Sequence, residues 1–489
     1  MAPTVSAPIV RLETKDAADA VPLVVDLDGV LIRTDLLVES AFGFIGNRPF
    51  EAWRLPLWLM NGRAKLKAGL AKRAPVDPAT LPYDPDVIAL IEAAKLERPV
   101  YLASASNEAY VGAVAEHLGL FAGWFGSSPQ VNLSGSTKAD RLVAEFGEGG
   151  FDYVGDSAVD LKVWSRARRA IAVGESPPVR AALKRLRPDA ELRQPGGPKA
   201  NPRAFLKLLR PHQWAKNALV FVPLLTAHAF DLASVGRACI AFIAFSLCAS
   251  SVYILNDLID LEADRAHPTK RSRPFASGAI KPQQGLLLAP ALLVSAFAIA
   301  ALLPLAFVAT LAFYFAATSA YSFFLKRKMM IDVVTLSGLY AVRVIGGGAA
   351  IGVTISEWLL AFAVFIFLSL ALIKRHSEMA IRMDQGLPDP TNRNYRAGDL
   401  PVLLALAAAG GYAAVIVFAL YVASPSVHAL YRHPKILYLA CPLLLYWISR
   451  TLMLSHRRDL HDDPVVFALR DWVSLATAGL IGVAAFLAA

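Results

Sequence analysis

The sequence has few cysteines, and it lacks the patterns that indicate a disulfide framework, a zinc site or a secreted protein. Its three cysteines, Cys239, Cys248 and Cys441, all lie in apolar segments without CxxC or Cys/His ligand spacing. The first 20 residues, MAPTVSAPIVRLETKDAADA, carry carboxylates and have no apolar core. They therefore predict a short disordered lead and not a signal peptide.

A nucleic-acid-reading motif is also missing, although the formal net charge is +10. No basic run is interleaved with aromatic residues, so we expect no nucleic-acid partner. Apolar residues are in excess instead, at 56% of the chain. Up to about residue 200 the sequence is typical of a soluble α/β protein, and from Trp214 onward apolar segments of membrane-spanning length dominate. This change predicts two domains of different class.

Apolar runs between charged residues predict about nine membrane-spanning helices, an all-α polytopic domain. Loops rich in Lys and Arg alternate with loops poor in charge, as the positive-inside rule requires. The alternation places the N-terminal domain and the charged loops on the cytoplasmic side of a bacterial-type inner membrane. The predicted spans begin near Ala215, Gly236, Gln284, Pro304, Asp332, Glu357, Leu400, Pro434 and Asp471.

The stretch NDLIDLEADRAHPTKRSRP, residues 256–274, places carboxylates and then cations between two apolar runs. Asp257, Asp260 and Asp264 recur at spacings of three and four, so on a helix they lie on one face, close enough to share a metal ion. Carboxylates that can hold Mg²⁺ beside cations that can hold phosphate oxygens are what a diphosphate substrate requires. The cations that follow are Arg265, Lys270, Arg271 and Arg273.

In the N-terminal half, polar side chains follow strand-like runs. PLVV leads into Asp26 and Asp28, RPVYLASAS delivers Ser104, and FDYVGDSAVD delivers Asp156 and Asp160, with Lys138 in the segment between them. The carboxyl ends of the strands are the usual ligand position in a parallel α/β sheet. The order of these elements predicts a phosphate-handling site there.

This order resembles the haloacid dehalogenase superfamily of phosphohydrolases, over residues 21–175, and the resemblance implies a Rossmann-like domain. It implies that Asp26 is the nucleophile and that Asp28 protonates the leaving oxygen and later activates water. Ser104 and Lys138 would hold the phosphoryl oxygens, and Asp156, with Asp160, would bind Mg²⁺ together with Asp26. Residues 36–80 fall where that superfamily inserts a helical cap, and residues 176–204 are predicted to be a linker. The open alternative is a domain that only binds or scaffolds.

Residues 205–489 resemble the UbiA-type prenyltransferase superfamily, intramembrane enzymes that displace diphosphate with Mg²⁺. The signature NDxxDxxxD is present as Asn256, Asp257, Asp260 and Asp264, which the resemblance implies are substrate and metal ligands. The second aspartate-rich motif of that superfamily is replaced by LIKRHSEMAIRMD, which offers Lys374, Arg375, Glu378 and Asp384. Glu378 is then the expected metal ligand of this loop, and the two cations are expected to bind substrate.

The stretches RPHQWAKN, KRHSE and DDPVVFALRD are similar to the polyprenyl-phosphate phosphoribosyltransferase branch, whose donor is phosphoribosyl diphosphate. Two alternatives remain open. One is a prenyltransferase that acts on an aromatic acceptor such as 4-hydroxybenzoate or a quinone precursor. The other is a lipid-binding membrane scaffold in which only the phosphatase is active.

Three polar or glycine-rich features lie within or beside the predicted spans. Arg343 is expected to face a cavity, because an arginine inside a span seldom faces lipid. Lys216 and Asn217 are expected either to touch substrate or to anchor the chain at the membrane interface. The glycine run 346–348 is expected to allow close helix packing, because no nucleotide-binding strand precedes it.

Overall fold

The computed structural model of the chain describes residues 20–174, 176–196, 198, 201–267, 269–386, 389, 394–460 and 463–489, so the predicted lead, residues 1–20, lies almost entirely outside them. The chain divides into two compact units. Unit 1 is the described chain up to Leu208 together with Ile254–Leu288, and unit 2 is Leu209–Tyr253 with Ala289–Ala489. The carboxylate stretch 256–274 therefore packs with the α/β half of the chain.

Unit 1 contains a six-stranded parallel sheet in the order β3-β2-β1-β4-β5-β6. On the central strand, Leu23 and Val25 belong to one apolar cluster and Val24 to the cluster on the opposite face. Both faces are buried, as in parallel sheets generally. The predicted α/β class is confirmed. The strands are β1 Leu23–Val25, β2 Val100–Asn107, β3 Gly123–Ser127, β4 Asp152–Gly155, β5 Ala170–Val173 and β6 Glu191–Arg193.

The helices of the N-terminal half cover the sheet and form an insertion after β1. The insertion, residues 36–80, contains α1 to α3 and two 3₁₀ turns, Pro49–Glu51 and Pro78–Thr80. Asp35 caps α1 by accepting from the amide of Val38. The helices are α1 Leu36–Asn47, α2 Arg54–Met60, α3 Arg63–Ala71, α4 Pro85–Lys95, α5 Glu108–Leu118, α6 Ser136–Phe146, α7 Leu161–Trp164, α8 Pro177–Leu186 and α9 Pro202–Leu209.

Regular structure continues past residue 175, into the segment for which the sequence predicts a linker. Helix α8 is followed by β6, which pairs in parallel with β5 through Ala172 and Leu192. Within the predicted linker, residues 176–204, only the start of α9 is regular structure after β6, counted over the described residues. The sheet thus extends about twenty residues further than its motif-bearing strands indicate.

The C-terminal half is helical, and seven of its helices are long and apolar enough to cross a membrane, counted over the described residues. They are α11, α13 to α16 and the helical segments Ala397–Val422 and Pro434–His456. The helices are α10 Val222–Thr226, α11 Leu232–Ile259, α12 Leu261–Ala266, α13 Pro282–Ala300, α14 Leu305–Phe323, α15 Ile331–Ile351, α16 Glu357–Asp384, α17 Leu400–Val422, α18 Pro425–Leu430, α19 Ala440–His456, α20 Pro464–Ala468 and α21 Trp472–Ala488.

The predicted count of nine spans is therefore corrected to seven, because the first and the last candidates are too short. The segment near Ala215 is an 11-residue 3₁₀ helix, Pro211–Phe221, followed by the five-residue α10. Prolines at the start of both elements remove backbone donors and interrupt a continuous α-helix. The segment after Asp471 forms α21, which has 17 residues.

Within unit 1, the segment Ile254–Leu288 packs against the insertion. A Cβ on Gly46 of α1 would come within 2.6 Å of Ile259 Cγ2, so these backbones approach closely. Arg265 forms a two-pronged ion pair with Glu39 of α1, and only 5% and 8% of the two side chains are exposed. The carboxylate stretch and the insertion are thus parts of one packed unit.

Candidate functional site

Asp26 follows β1 directly and lies against a buried lysine. Its Oδ2 is 2.9 Å from Lys138 Nζ, and Lys138 is 3% exposed. Tyr153 on the neighbouring strand β4 accepts from Lys138 Nζ at 2.9 Å. Burial outweighs the opposing charge of Lys138 and raises the pKa of Asp26 to about 7. Asp26 is therefore a carboxylate whose ionised form depends on nearby cations.

Asp28 accepts hydrogen bonds from two hydroxyl groups of β2. Ser104 Oγ donates to its Oδ2 at 2.9 Å and Ser106 Oγ donates at 2.7 Å, while Oδ1 accepts from the amide of Leu36. Burial raises the pKa of Asp28. Ser104 was predicted to hold phosphoryl oxygens, but it is fully buried and its hydroxyl group is directed at Asp28. Ser106, which the sequence analysis did not single out, lines the adjacent cavity.

Asp156 and Asp160 follow β4, and the structure gives them different surroundings. Asp160 is 2% exposed, and its Oδ2 accepts from the amides of Asp156 and Ser157. This bonding fixes the loop. Asp156 Oδ2 is 2.8 Å from Lys281 Nζ, and burial raises the pKa of Asp156. Gly29 lies beside it at φ +81°, and a Cβ there would be 2.4 Å from Asp156 Oδ2.

A cavity of about 550 Å³ opens over these carboxylates. Asp26, Asp28, Lys138, Asp156 and Asp160 line its floor, as the order of sequence motifs predicts. Its other walls come from the insertion and from the segment after the carboxylate stretch. The side chains from these two sources are Leu37, Leu59, Arg63, Leu66, Lys67, Lys281 and Gln283.

Sequence reasoning missed the residues of these walls. Lys67 Nζ donates to Asn132 Oδ1 at 2.6 Å, and burial lowers the pKa of Lys67. Gln283 donates to Asp35 at 2.8 Å. No local pattern marks Lys281 and Gln283 as neighbours of Asp26, since they lie some 250 residues away along the chain.

In the carboxylate stretch, Asp257 lies in the last turn of α11, Asp260 lies at the junction and Asp264 is on α12. The backbone hydrogen bonds from Asp260 N to Asn256 O and from Asp264 N to Asp260 O continue the helical path through the junction. Asp257 and Asp264 are each 3% exposed. Arg273 joins them, because its Nη1 is 3.0 Å from Asp257 Oδ1 and 2.6 Å from Asp264 Oδ2.

The other cations of this stretch differ in how they are placed. Arg265 was predicted to bind substrate, but its guanidinium group is occupied by Glu39 and by the carbonyl oxygen of Ala276. Lys270 Nζ lies 4.0 Å from Asp264 Oδ1 and is half-exposed. Arg271 is exposed. Lys270 and Arg271 are thus the cations of this stretch most accessible to a ligand.

The residues present can hold a cation at two places in unit 1, although no group of three or more His, Cys, Asp or Glu side chains in the described chain is arranged as a complete metal site. Arg273 bridges Asp257 and Asp264, and Lys281 is bonded to Asp156. Each cationic group occupies a position between or beside buried carboxylates. Oxygen ligands of this kind are those that Mg²⁺ prefers, so the donor set fits that ion.

Unit 2 contains a cluster of two lysines and one aspartate. Lys216 Nζ and Lys374 Nζ lie 2.8 Å and 2.7 Å from the same oxygen, Asp463 Oδ2. Burial acts to raise the pKa of Asp463, but the two ammonium groups outweigh it and lower this pKa. The cluster has one more positive charge than negative. Asp463 is a functional candidate that sequence reasoning did not single out.

Arg375, the neighbour of Lys374, points into the protein. It is 1% exposed and its Nη2 is 2.8 Å from Asp332 Oδ2, which is itself fully buried. Its Nη1 pairs with Glu378, the predicted metal ligand. A guanidinium group held by two carboxylates is not presented to a substrate in this structure. Of the two cations predicted to bind substrate, Lys374 has the more accessible side chain and Arg375 is enclosed.

Arg343 and the glycine run are both packed against neighbouring helical segments of unit 2. Arg343 donates to Asn217 Oδ1 at 2.8 Å and to Tyr314 Oη at 2.9 Å, and its guanidinium group lies 4.8 Å from the Tyr314 ring centroid. These bonds account for a buried arginine without a ligand. Gly347 confirms close packing, since a Cβ there would lie 2.1 Å from the carbonyl oxygen of Val220.

Unit 2 also encloses an apolar cavity of about 460 Å³. Its walls come from the C-terminal end of α17 and the N-terminal ends of α16 and α19, and they include Trp358, Leu359, Phe362 and Phe418. Apolar lining of this size suits hydrocarbon. The cavity can hold part of a lipid chain.

Comparison with known proteins gives a family match, a relative that spans nearly the whole chain and relatives that span part of it. A family model described as the UbiA prenyltransferase family matches residues 218–477. The uncharacterized protein y4nM of Sinorhizobium fredii is 40% identical over 466 residues, which are 94% of this chain and 89% of that protein.

A decaprenyl-phosphate phosphoribosyltransferase of Mycolicibacterium smegmatis is 38% identical over 191 residues, which are 38% of this chain and 60% of that protein. The structure of a UbiA homolog from Archaeoglobus fulgidus, bound to GPP and Mg²⁺, is 17% identical. The match covers 58% of this chain and 99% of the Archaeoglobus fulgidus chain, with a TM-score of 0.45.

Proposed function

The chain belongs to the UbiA prenyltransferase family, and from that premise we propose that its membrane half transfers phosphoribose from phosphoribosyl diphosphate to a polyprenyl phosphate. The observation that carries the proposal is the pair Lys216 and Lys374 converging on Asp463. This cluster has a net positive charge, as a donor with several phosphate groups needs. The name of the mycobacterial relative agrees with the same donor and acceptor.

The proposed transfer exchanges one bond at the anomeric carbon of ribose. The bond to the diphosphate oxygen breaks, the diphosphate leaves with the electron pair, and an oxygen of the lipid phosphate forms the new bond. Lys216 and Lys374 bind phosphate oxygens, and Asp463 keeps both ammonium groups in place. Mg²⁺ held by Asp257, Asp260 and Asp264 would neutralise the leaving diphosphate. Arg273, which bridges Asp257 and Asp264, would have to be displaced for these carboxylates to hold the ion.

We further propose that unit 1 is a phosphatase of the haloacid dehalogenase type. The support is the convergence of Asp26, Asp28, Lys138 and Asp156 on the floor of one cavity. The separation of roles also has support: Lys138 is paired with Asp26, whereas two hydroxyl groups hold Asp28. A nucleophile beside a cation and a second carboxyl group with a raised pKa are the two groups that phosphoryl transfer needs.

In the proposed hydrolysis, an Asp26 oxygen attacks phosphorus and the ester oxygen leaves, taking a proton from Asp28. A water molecule then attacks the phosphoaspartate, Asp28 accepts its proton, and inorganic phosphate leaves. Lys138 stabilises the charge on Asp26 and on the transferred group, while Ser104 and Ser106 orient Asp28. Mg²⁺ held by Asp26 and Asp156 would neutralise the phosphoryl oxygens. Lys281, which is paired with Asp156, would be displaced by the ion.

The experiment that tests the transferase uses full-length protein in nanodiscs with Mg²⁺. One reaction contains labelled phosphoribosyl diphosphate with polyprenyl phosphate, and the other contains labelled prenyl diphosphate with 4-hydroxybenzoate. We expect product only in the first reaction, as label transferred from phosphoribosyl diphosphate to the polyprenyl phosphate, and no labelled aromatic product in the second. Asp257→Asn should lower that rate by about 30-fold to 1,000-fold, the usual effect of losing an electrostatic group at a charged leaving group.

The matched control is Glu262→Gln, an exposed carboxylate between the motif positions, which should keep the wild-type rate. Product only in the aromatic reaction would replace the proposed donor and acceptor with those of a prenyltransferase. A wild-type rate for Asp257→Asn would remove the carboxylate stretch from the site.

A further inference from the structure

The insertion of unit 1 exposes a stripe of large apolar side chains. Phe50, Trp53, Leu57 and Met60 are 82%, 62%, 47% and 84% exposed. Their spacing of three, four and three residues places them along one side of the helical segment. We name these four residues the cap stripe. Several adjacent apolar side chains in water are unusual, and such a patch normally contacts a partner.

The residues of the cap stripe are separate from the apolar side chains that form the core of the insertion. The opposite side of α2 carries Leu55 and Trp58, which pack against the cluster around Phe44 and Leu70. The Phe44 and Trp58 ring centroids are 5.4 Å apart. Helix α2 thus has one apolar side buried inside unit 1 and another facing outward. The outward side requires an apolar environment of its own.

Cations lie near the cap stripe along the chain, and two of them, Arg48 and Arg54, are paired with Glu51. Arg48, Arg63 and Lys65 are exposed, and Arg54 lies over the Trp53 ring at 5.5 Å. Residues 36–80 contain seven Lys and Arg against three Asp and Glu. Aromatic and aliphatic side chains within a basic border are typical of a surface that lies in the interface of an anionic bilayer.

The position of the stripe within unit 1 favours the same partner. Helix α1 leads into it, and Gly46 near the end of α1 contacts Ile259, the last residue of the long apolar helix α11. A membrane span therefore ends beside the start of the stripe. On the far side, Leu59 and Arg63 line the cavity over Asp26. The stripe lies between a span end and the mouth of the cavity.

We propose that the cap stripe inserts into the headgroup region of an anionic bilayer and delivers the phosphate-bearing head of a membrane-held lipid to Asp26. This inference rests on the proposed phosphatase for its second half only. The partner is the lipid surface itself. The basic border contacts the anionic headgroups, and Leu59 and Arg63 receive the lipid head at the cavity.

Membrane contact is tested by fluorescence quenching on the full chain. Wild type and Trp53→Phe are placed in nanodiscs of phosphatidylglycerol and phosphatidylcholine, with and without bromine on the acyl chains. We expect the emission that Trp53 contributes, obtained as the difference between the two proteins, to be quenched by brominated lipid. The control is Trp124→Phe, in strand β3, whose contribution should be unaffected. If brominated lipid does not quench the emission of Trp53, the proposal is overturned. That outcome would mean that the stripe contacts something other than the membrane, such as a second copy of the chain.

Lipid delivery is tested by comparing two substrates. The triple variant Phe50→Ser, Trp53→Ser, Met60→Ser should lose about tenfold or more in hydrolysis of a phosphorylated lipid, as expected when three interfacial anchors are lost. Its hydrolysis of soluble p-nitrophenyl phosphate should stay unchanged. The lipid is chemically synthesised, labelled polyprenyl-phosphoryl ribose 5-phosphate, so the measurement does not depend on the proposed transferase. The control Leu96→Ser removes a side chain that is 89% exposed elsewhere in unit 1.

The two readouts separate the two proposals. If wild type hydrolyses neither substrate, the phosphatase proposal fails, and quenching of Trp53 still decides the membrane contact. Quenching with equal losses on both substrates, or with no loss on the lipid, overturns the delivery role of the stripe.

Discussion

At the scale of single residues, several buried charged side chains are held by ion pairs with partners far along the chain. Lys216 and Lys374 share Asp463, while Arg375 is enclosed with Asp332. Buried charges require such partners, because an unpaired charge is costly to remove from water. Lys374 and Arg375, adjacent residues of helix α16, therefore have different consequences when they are changed.

Replacing Lys216 or Lys374 by alanine should raise the KM for phosphoribosyl diphosphate by about tenfold to 100-fold, the range for losing a charge-assisted bond to phosphate. Steady-state kinetics in nanodiscs at varied donor concentration measure it. Lys328→Ala, an exposed cation of another basic loop, is the matched control. If the lysine variants change only the amount of protein inserted in the membrane, the cluster is a topological anchor.

At the scale of elements, three consecutive glycines let helix α15 approach three different segments of unit 2 closely. Gly346 and Gly348 would place a Cβ within 2.6 Å of Phe245 and 2.5 Å of Ile355, and Gly347 faces a backbone carbonyl group. Small residues let membrane helices approach closely. The sequence predicts this use of the glycine run, but not which elements it contacts.

Gly347→Ala should destabilise unit 2 by about 1–3 kcal/mol, because the added methyl group meets the carbonyl oxygen of Val220 and not a flexible side chain. Gly338→Ala in the same helix is the matched control, since a Cβ there has nothing within 4 Å. The thermal unfolding midpoints of the detergent-purified proteins provide the measurement. Equal midpoints for the two variants would contradict the close packing of α15.

At the scale of the whole molecule, one chain carries two proposed activities that share an intermediate. The proposed transferase product keeps a ribose 5-phosphate, which is a phosphomonoester and the bond type that the proposed phosphatase cleaves. Joining both activities in one chain raises the effective concentration of the product at the second site. We infer that the two reactions are consecutive.

Asp26→Asn should therefore make the full-length protein accumulate the phosphorylated lipid, whereas wild type releases inorganic phosphate as well as diphosphate. Thin-layer separation of labelled lipids and a phosphate assay follow the two products over time. Asp189→Asn, an exposed carboxylate of unit 1, should behave as wild type. Retention of the 5-phosphate by wild type, together with efficient hydrolysis of a soluble phosphate ester, would disprove the consecutive steps.

The sequence by itself determined the two domain classes, the parallel sheet and most of the apolar helices. These features follow from local patterns, since apolar run length and the polar residues after each strand are properties of neighbouring positions. The order of Asp26, Asp28, Lys138 and Asp156 likewise sufficed to predict that they meet. The last strand of the sheet, β6, was not predicted, because no motif residue follows it.

Only the tertiary structure decided which charges meet across long stretches of chain. Arg265 and Glu39 are 226 residues apart, and Lys281 and Asp156 are 125 residues apart. The sequence records that each charge exists, but the choice of partner depends on which surfaces pack together. Only the tertiary structure likewise showed that the first candidate span is a short 3₁₀ segment, because hydropathy cannot distinguish such a segment from a membrane helix. Packing therefore separates the cations that face a ligand from those that hold the fold.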